Sequence, residues 1–285
     1  MSSEQYALSH GLKKVGARPT LFKYIREAFS RIDFAYTLAS YGNEATNAKS
    51  RLGSWWNILL PTIQASTYGL IFGLILGASK PDNFLPFLFT GVFLFGFFQG
   101  SFTNGASSIV NRSGLVRSLS FPRVLLPLSV IISQAIALIP QLLVLAVLLV
   151  VVQGFGSITF GWLMMVPLLA VMFIFNFGVA MVMARITVHV QDLSKLVPFF
   201  NRVLFYVSGV FFSLEKIFTD PDNIWGKLIQ FNPIFDFLNL ARGYLVHGYS
   251  VRPEEWISIL IWSFGLAIFG LVFFWSAEER YGRED

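Results

Sequence analysis

No cysteine occurs among the 285 residues, which excludes disulfides, thiolate metal sites and a cysteine nucleophile. Charge is scarce as well. Asp, Glu, Lys and Arg make up 13% of the chain, roughly half the ~25% usual in soluble domains, so lipid is expected as the main solvent. No G-x-x-x-x-G-K-S/T segment is present, and without that loop the chain lacks the usual means of cradling nucleotide phosphates. If ATP drives this protein, a partner must hydrolyse it. The first fifty residues hold no short apolar core followed by a small-residue cleavage site, which argues against a secretory signal peptide. His10, His189 and His247 are scattered through a tail and two loops without metal-ligand spacing.

What the chain has instead is long apolar blocks. Segments 55–78, 84–110, 125–153, 159–184, 196–214 and 256–276 are almost free of charge and long enough, at ~1.5 Å per residue, to cross a ~30 Å hydrocarbon layer. The expected fold is an all-α integral membrane protein with six transmembrane helices over 55–276. Residues 1–20 read as a disordered leader and 277–285 as a tail. Across 21–42, Leu21, Ile25, Phe29, Ile32 and Tyr36 recur at steps of three and four against Lys23, Arg26, Glu27 and Arg31, predicting an amphipathic helix in the headgroup plane; a helix packed on a soluble domain is the alternative.

The longest connection, 215–255, contains within 215–246 two short apolar pieces, Ile224–Phe231 and Ile234–Val246, parted by Asn232-Pro233. A residue before proline is pushed out of helical geometry, so two short helices are expected, either re-entrant as a gate or lying on the surface.

Basic residues set the orientation. With the amino terminus inside, sixteen of the 21 Lys and Arg fall on the cytoplasmic side and five outside, the latter with seven acids. That distribution obeys the positive-inside rule and places both termini in the cytoplasm. The spans carry no acid near their centres, only amides and hydroxyls such as Gln64, Gln99, Asn104, Gln134, Gln141 and Asn176. Ion-driven transport usually needs an ionisable or carbonyl-rich midplane site, and an intramembrane glycan-modifying enzyme wants paired carboxylates or an activated nucleophile. Both are disfavoured.

An externally powered permease needs a docking surface, and the loop 111–123 is short, basic and amphipathic, with Asn111 able to cap its start and Pro122 to end it. Arg112, Arg117 and Arg123 as plain lipid-headgroup anchors form the competing reading. Ala65, Gly69, Gly73 and Gly77 make a small-residue stripe suited to close helix approach, within this chain or with another. Eight phenylalanines crowd residues 84–102, and Phe199, Phe200, Phe205, Tyr206, Phe211 and Phe212 run along the fifth span. Such rings pack or face lipid, or line a conduit that meets the apolar faces of sugars without holding them.

Taken in order, several of these segments resemble the permeases of ABC-2 type polysaccharide exporters. Arg51-Leu52-Gly53-Ser54-Trp55-Trp56 followed by Pro61 resembles the approach to that family's first span. Asn111, Gly114-Leu115-Val116-Arg117, Phe121-Pro122 and Leu126-Pro127 resemble its coupling helix. Gln191-Asp192-Leu193, in the second cytoplasmic loop 185–196, is similar to its acidic turn, and Asn232-Pro233 with Arg242 to its extracytoplasmic gate. The uncharged stretch 35–42 departs from the family's denser basic run.

The resemblance, over residues 20–275, implies a multi-pass inner-membrane protein of bacteria that exports a lipid-linked polysaccharide such as O-antigen, galactan or teichoic acid precursors. It implies a second copy of this chain and two copies of a cytoplasmic ABC ATPase, which would bind the ATP and Mg. This chain would bind no cofactor and no nucleic acid, and would meet only its cargo, its partners and membrane lipids. Coupling would fall to Arg112, Leu115, Arg117, Phe121 and Asp192, and the gate to Asn232, Pro233, Phe235 and Arg242. A channel between first and fifth spans makes Trp56, Tyr68, Phe72, Phe205, Tyr206 and Phe212 lining candidates. A drug or small lipid is the alternative cargo for the same fold.

Overall fold

A computed structural model describes residues 19–48, 51–75, 77, 80–213, 229 and 231–281. The leader 1–18, most of 214–230 including most of the piece Ile224–Phe231, and 282–285 lie outside the described residues. Among the described residues all regular structure is helical. We number the helices α1 (Leu21–Ser30), α2 (Ile32–Ala48), α3 (Trp56–Ile75), α4 (Phe84–Ala106), α5 (Ser113–Ser118), α6 (Leu125–Gln153), α7 (Met165–His189), α8 (Leu193–Val207), α9 (Pro233–Leu245) and α10 (Pro253–Trp275).

Among the described residues, five helices are long and apolar enough to cross a membrane: α3 with its preceding turn, α4, α6, α7 with its preceding turn, and α10. The sixth expected span differs. Its helix α8 has 15 residues, about 22 Å of rise against a ~30 Å hydrocarbon core. It stops because Gly209 turns to φ +66° with Phe235 packed where a Cβ would stand, a backbone state that costs glycine little and other residues more.

The bundle is built around α4. A helix apolar on every side has no polar face to offer water and is surrounded instead; α4 touches α3, α6, α7, α8 and α9. Its eight phenylalanines are all buried, so packing within the chain is what the phenylalanine-rich segment does. Small residues set the closest approaches. A Cβ on Gly178 of α7 would lie 2.6 Å from the backbone of Leu266 in α10, and one on Gly270 2.7 Å from the Gly178 carbonyl oxygen. Gly105 of α4 meets Ala180 of α7 at 2.6 Å in the same sense. The stripe on α3 also finds its neighbour inside the chain, since a Cβ on Gly69 would come 3.2 Å from Leu85 of α4.

Proline shapes α3 without breaking it. Pro61 has no N–H to donate, which strips the carbonyl four residues back of its helical partner. That carbonyl belongs to Asn57, and the Gln141 amide of α6 donates to it at 3.1 Å. In hydrocarbon an unpaired carbonyl is costly, so the glutamine answers the proline.

The amphipathic segment 21–42 is two helices rather than one. The chain bends at Arg31 (φ −117°, ψ 25°), whose guanidinium donates to the Ser120 carbonyl at 2.8 Å and pairs with Glu27 at 3.3 Å. Beyond the bend, α2 packs along α6 with Ala35 and Ala39 buried, and Asn43 exchanges hydrogen bonds with Ser133. Ser133 lies eight residues into α6, about 12 Å along its axis. A segment packed there has no use for charge, which accounts for the uncharged run 35–42.

Candidate functional site

The bundle has two chemically distinct ends. At the basic end, where α4, α7 and α10 finish and α6 starts, a second hydrophobic cluster gathers Tyr24, Ile109, Val116, Val124, Met181, Phe274 and Tyr281. Glu278, after α10, folds back into it. Its carboxylate accepts from the Tyr24 hydroxyl at 2.8 Å and from the Arg123 backbone N–H at 3.0 Å, and pairs with the Arg123 guanidinium at 3.6 Å. Arg123 also donates to the Glu278 carbonyl oxygen, while the Tyr24 hydroxyl accepts from the Val124 N–H at 3.0 Å. Burial pushes the Glu278 carboxyl above the usual carboxylate range, countered by these donors. Burial likewise raises the Tyr24 hydroxyl.

The loop 111–123 lies on this end. Helix α5 spans six residues, begins at Ser113 after Arg112, and has no side-chain cap. Asn111 is exposed and does not cap it, and the helix ends at Ser118, before Pro122 is reached. Arg112 turns inward: it donates to the Ser129 hydroxyl at 2.6 Å, and burial lowers its pKa. Leu115 and Val116 pack on the cluster beneath, and Phe121 meets Phe34 of α2 at 5.0 Å between centroids. Arg117 points outward. Asp192 stands at the start of α8, paired with Lys195 at 2.8 Å on a fully exposed turn. Arg112, Leu115 and Phe121 therefore hold the loop to the bundle, whereas Arg117 and Asp192 are exposed.

Between the ends, α3 and α8 share an aromatic cluster. Tyr68 meets Phe205 at 5.5 Å and Phe211 at 5.1 Å, and Phe72 stacks on Phe211 at 4.3 Å. Phe95 of α4 reaches Phe205 at 4.9 Å. Phe205 is buried while its neighbour Tyr206 is half exposed. Four lining candidates, Tyr68, Phe72, Phe205 and Tyr206, thus come together, and Phe211 joins them where the sequence pointed to Phe212. Phe211 and Phe212 are adjacent rings, and the backbone after the turn at Gly209 decides which of them faces the cluster. Trp56 lies at the start of α3, half exposed. Beyond the shared rings, Leu60, Ile63, Leu70 and Leu74 of α3 and Leu196, Phe199, Phe200 and Val203 of α8 leave apolar faces exposed. Asn201 ties α8 to α4 by donating to the Thr103 hydroxyl at 2.6 Å.

The opposite end holds α9. Asn232 accepts from the Ile234 N–H at 3.0 Å while Pro233 opens the helix, the N-cap and first-turn proline arrangement that starts helices well. The Asn232 amide also donates to Ser208 at 2.9 Å, and Phe235 packs on Gly209, so the start of α9 closes over the end of α8. Arg242 is fully buried. It donates to the carbonyls of Phe87 at 3.3 Å and Val210 at 3.2 Å and lies 3.4 Å over the Phe87 ring, a cation–π contact strengthened by exclusion of water. Gly91 leaves the room for it: a Cβ there would stand 2.6 Å from the guanidinium. One arginine thereby joins α4, the turn after α8 and α9. Asp236 faces α10, where Glu255 and Ser258 stand; burial raises its carboxyl to about 6. A cavity of about 640 Å³ opens at this end between α3 and α4, lined by Gly69, Gly73, Lys80, Asp82 and Phe84 among others.

No cluster able to hold a metal ion occurs among the described residues.

Residues 44–246 match the family described as ABC-2 type transporter. The O-antigen export system permease protein RfbA of Klebsiella pneumoniae is 28% identical over 234 residues, covering 81% of this chain and 87% of that protein. A protein of the same name from Myxococcus xanthus is 24% identical over 262 residues, 92% of this chain and 96% of that one. The polysialic acid transport protein KpsM of Escherichia coli is 25% identical over 231 residues, covering 78% and 86%.

Proposed function

The chain belongs to the ABC-2 type transporter family, and from that premise we propose that it is the permease of an ATP-driven exporter carrying a lipid-linked polysaccharide across the bacterial inner membrane. The carrying observation is the run of relatives, named for O-antigen export and polysialic acid transport, that align along most of their length. The aromatic cluster shared by α3 and α8 suits such cargo, because ring faces contact sugars and prenyl chains without a charge that would hold them.

The exposed apolar faces of α3 and α8 are the surfaces for a second copy of this chain, with the conduit between them. A sixth crossing runs through α8 and residues 208–213: α7 ends at the basic end, while α9 and α10 begin at the opposite one. The basic end faces the cytoplasm and two copies of an ABC ATPase, which hold ATP and Mg. Arg117 and Asp192 present the contact, and Arg112, Leu115 and Phe121 carry its movement into the bundle. At the far end Asn232, Pro233, Phe235 and Arg242 close the outer mouth. This chain transports and does not itself catalyse.

Deleting the gene in its host should leave a lipid-linked glycan on the cytoplasmic side, extractable and labelled by periodate oxidation. Restoration by wild-type protein, and reduced restoration by Tyr206→Ala at equal abundance, are the expected results. Normal glycan export in the deletion strain overturns the polysaccharide reading.

A further inference from the structure

Beneath α1 runs an apolar groove of about 180 Å³. Its roof is Ile25, Ala28 and Phe29 of α1, and its walls include Leu128 of α6, Phe177 of α7 and Leu271 of α10. Leu128 stands three residues into α6 and Leu271 four before the end of α10, about 5–6 Å of helix, so the groove reaches from α1 into the first turns of the bundle beneath it. At its base the Tyr24 hydroxyl is turned away to Glu278 and Val124. A wholly apolar cleft gives water no partners, and one open to the bilayer fills with hydrocarbon.

The charge on α1 selects what brings that hydrocarbon. At 100° per residue, Phe22 and Phe29 border the groove-facing arc, Arg26 follows on the next face and Lys23 lies about 60° beyond it, past Ser30; both basic residues are exposed. Cations flanking an apolar slot at headgroup level favour an anionic head over a zwitterionic one.

We propose that this groove binds one anionic phospholipid of the leaflet on which α1 lies, its acyl chain under α1 and its headgroup at Lys23 and Arg26. The lipid fills the space between the interface helix and α6, α7 and α10, and so fixes how far α1 stands from the bundle. The inference rests on the membrane orientation proposed above but not on the cargo.

Purified, delipidated permease in detergent is titrated with phosphatidylglycerol or phosphatidylcholine of matched chains, and bound lipids are counted by native mass spectrometry. One tightly held phosphatidylglycerol per chain is expected, with phosphatidylcholine at least tenfold weaker. Ala28→Trp fills the groove and should remove the tight lipid; Leu271→Trp, from the opposite wall, should do the same if the first variant fails to fold. Lys23→Gln with Arg26→Gln should abolish the preference for the anionic head and leave weak binding of both lipids. Equal binding by wild type and the folded tryptophan variant, or equal affinity for the two heads, overturns the proposal. Preferential displacement by a polyisoprenyl phosphate overturns it too, by giving the groove to the cargo's carrier. Because no transport is measured, a chain that exports something other than glycan still passes or fails this test on its own.

Discussion

The Tyr24 hydroxyl reaches Glu278 across 254 residues of sequence, at 2.8 Å, while accepting the Val124 N–H at 3.0 Å. One phenol thus binds α1 to the end of the loop 111–123 and to the turn after the last described helix. Tyr24→Phe keeps the ring and removes both bonds, leaving a buried N–H and a carboxylate oxygen short of a partner, at about 1–3 kcal/mol each. The thermal midpoint in detergent should fall by several degrees. An unchanged midpoint means that water replaces the hydroxyl.

Gln141 and Pro61 should be coupled. Gln141→Leu leaves the Asn57 carbonyl unpaired and should cost on the order of 1–3 kcal/mol, whereas Pro61→Ala returns a backbone N–H to that carbonyl. In the double variant the loss from Gln141→Leu should nearly vanish, as a double-mutant cycle of melting curves in detergent will reveal. Additive losses refute the pairing.

Packing of α7 on α10 should tolerate no side chain at Gly178 or Gly270. Gly178→Val drives a branched carbon into the backbone of α10 and should lose at least about 1–3 kcal/mol, seen as a collapsed monodisperse peak on size exclusion. Gly265, on α10 with nothing within 4 Å of its Cβ position, supplies the control: Gly265→Ala should be neutral or stabilising.

Within the loop 111–123 two arginines should separate. Arg117→Ala should weaken co-purification of the ATPase about tenfold and lower the permease's melting midpoint less than Arg112→Ala does. Arg112→Ala removes the bond to Ser129 and should lower that midpoint by itself. A larger loss of stability from Arg117→Ala would place it in the bundle's support instead.

Asp236 should make the opposite end sensitive to pH. Its carboxyl, raised by burial to about 6 with Glu255 nearby, sits above its unfolded value near 4. The folded state therefore holds the proton more tightly, so the contribution is complete below about pH 4 and is lost as pH rises through 6. Melting midpoints should decline between pH 5 and 7, and Asp236→Asn should flatten the decline. A midpoint that rises over that interval reverses the sign and refutes the assignment.

Much of the fold was legible because lipid makes composition speak. Five of the expected spans match crossing helices within a few residues, and the phenylalanines of α4 mark a helix with no polar side. The short α8 was not legible: the sequence stays mostly apolar past its end to Phe212, and the positive φ of Gly209 follows the helix end. Nor was the bend at Arg31, where periodicity runs on but a contact to Ser120, 89 residues away, turns the chain. Around the candidate site, Asn232-Pro233 announced α9 through local cap chemistry, while the roles of Tyr24, Glu278 and Phe211 depend on partners far along the chain. An uncharged run at 35–42 departs from the basic run of the family it resembles and is ordinary for a helix packed on α6.

The joint between Tyr24 and Glu278 also fixes an order of biosynthesis. Tyr24 leaves the ribosome first, and its partner follows 254 residues later, roughly 13 to 50 s at 5–20 residues per second. Through that interval α1 has no anchor beyond the last helix, and every intervening span must insert before this end of the bundle can seal. A nascent chain whose final helix inserts wrongly leaves Tyr24, Val124 and Arg123 open at the membrane surface, where membrane proteases and insertion chaperones can distinguish it from a finished permease.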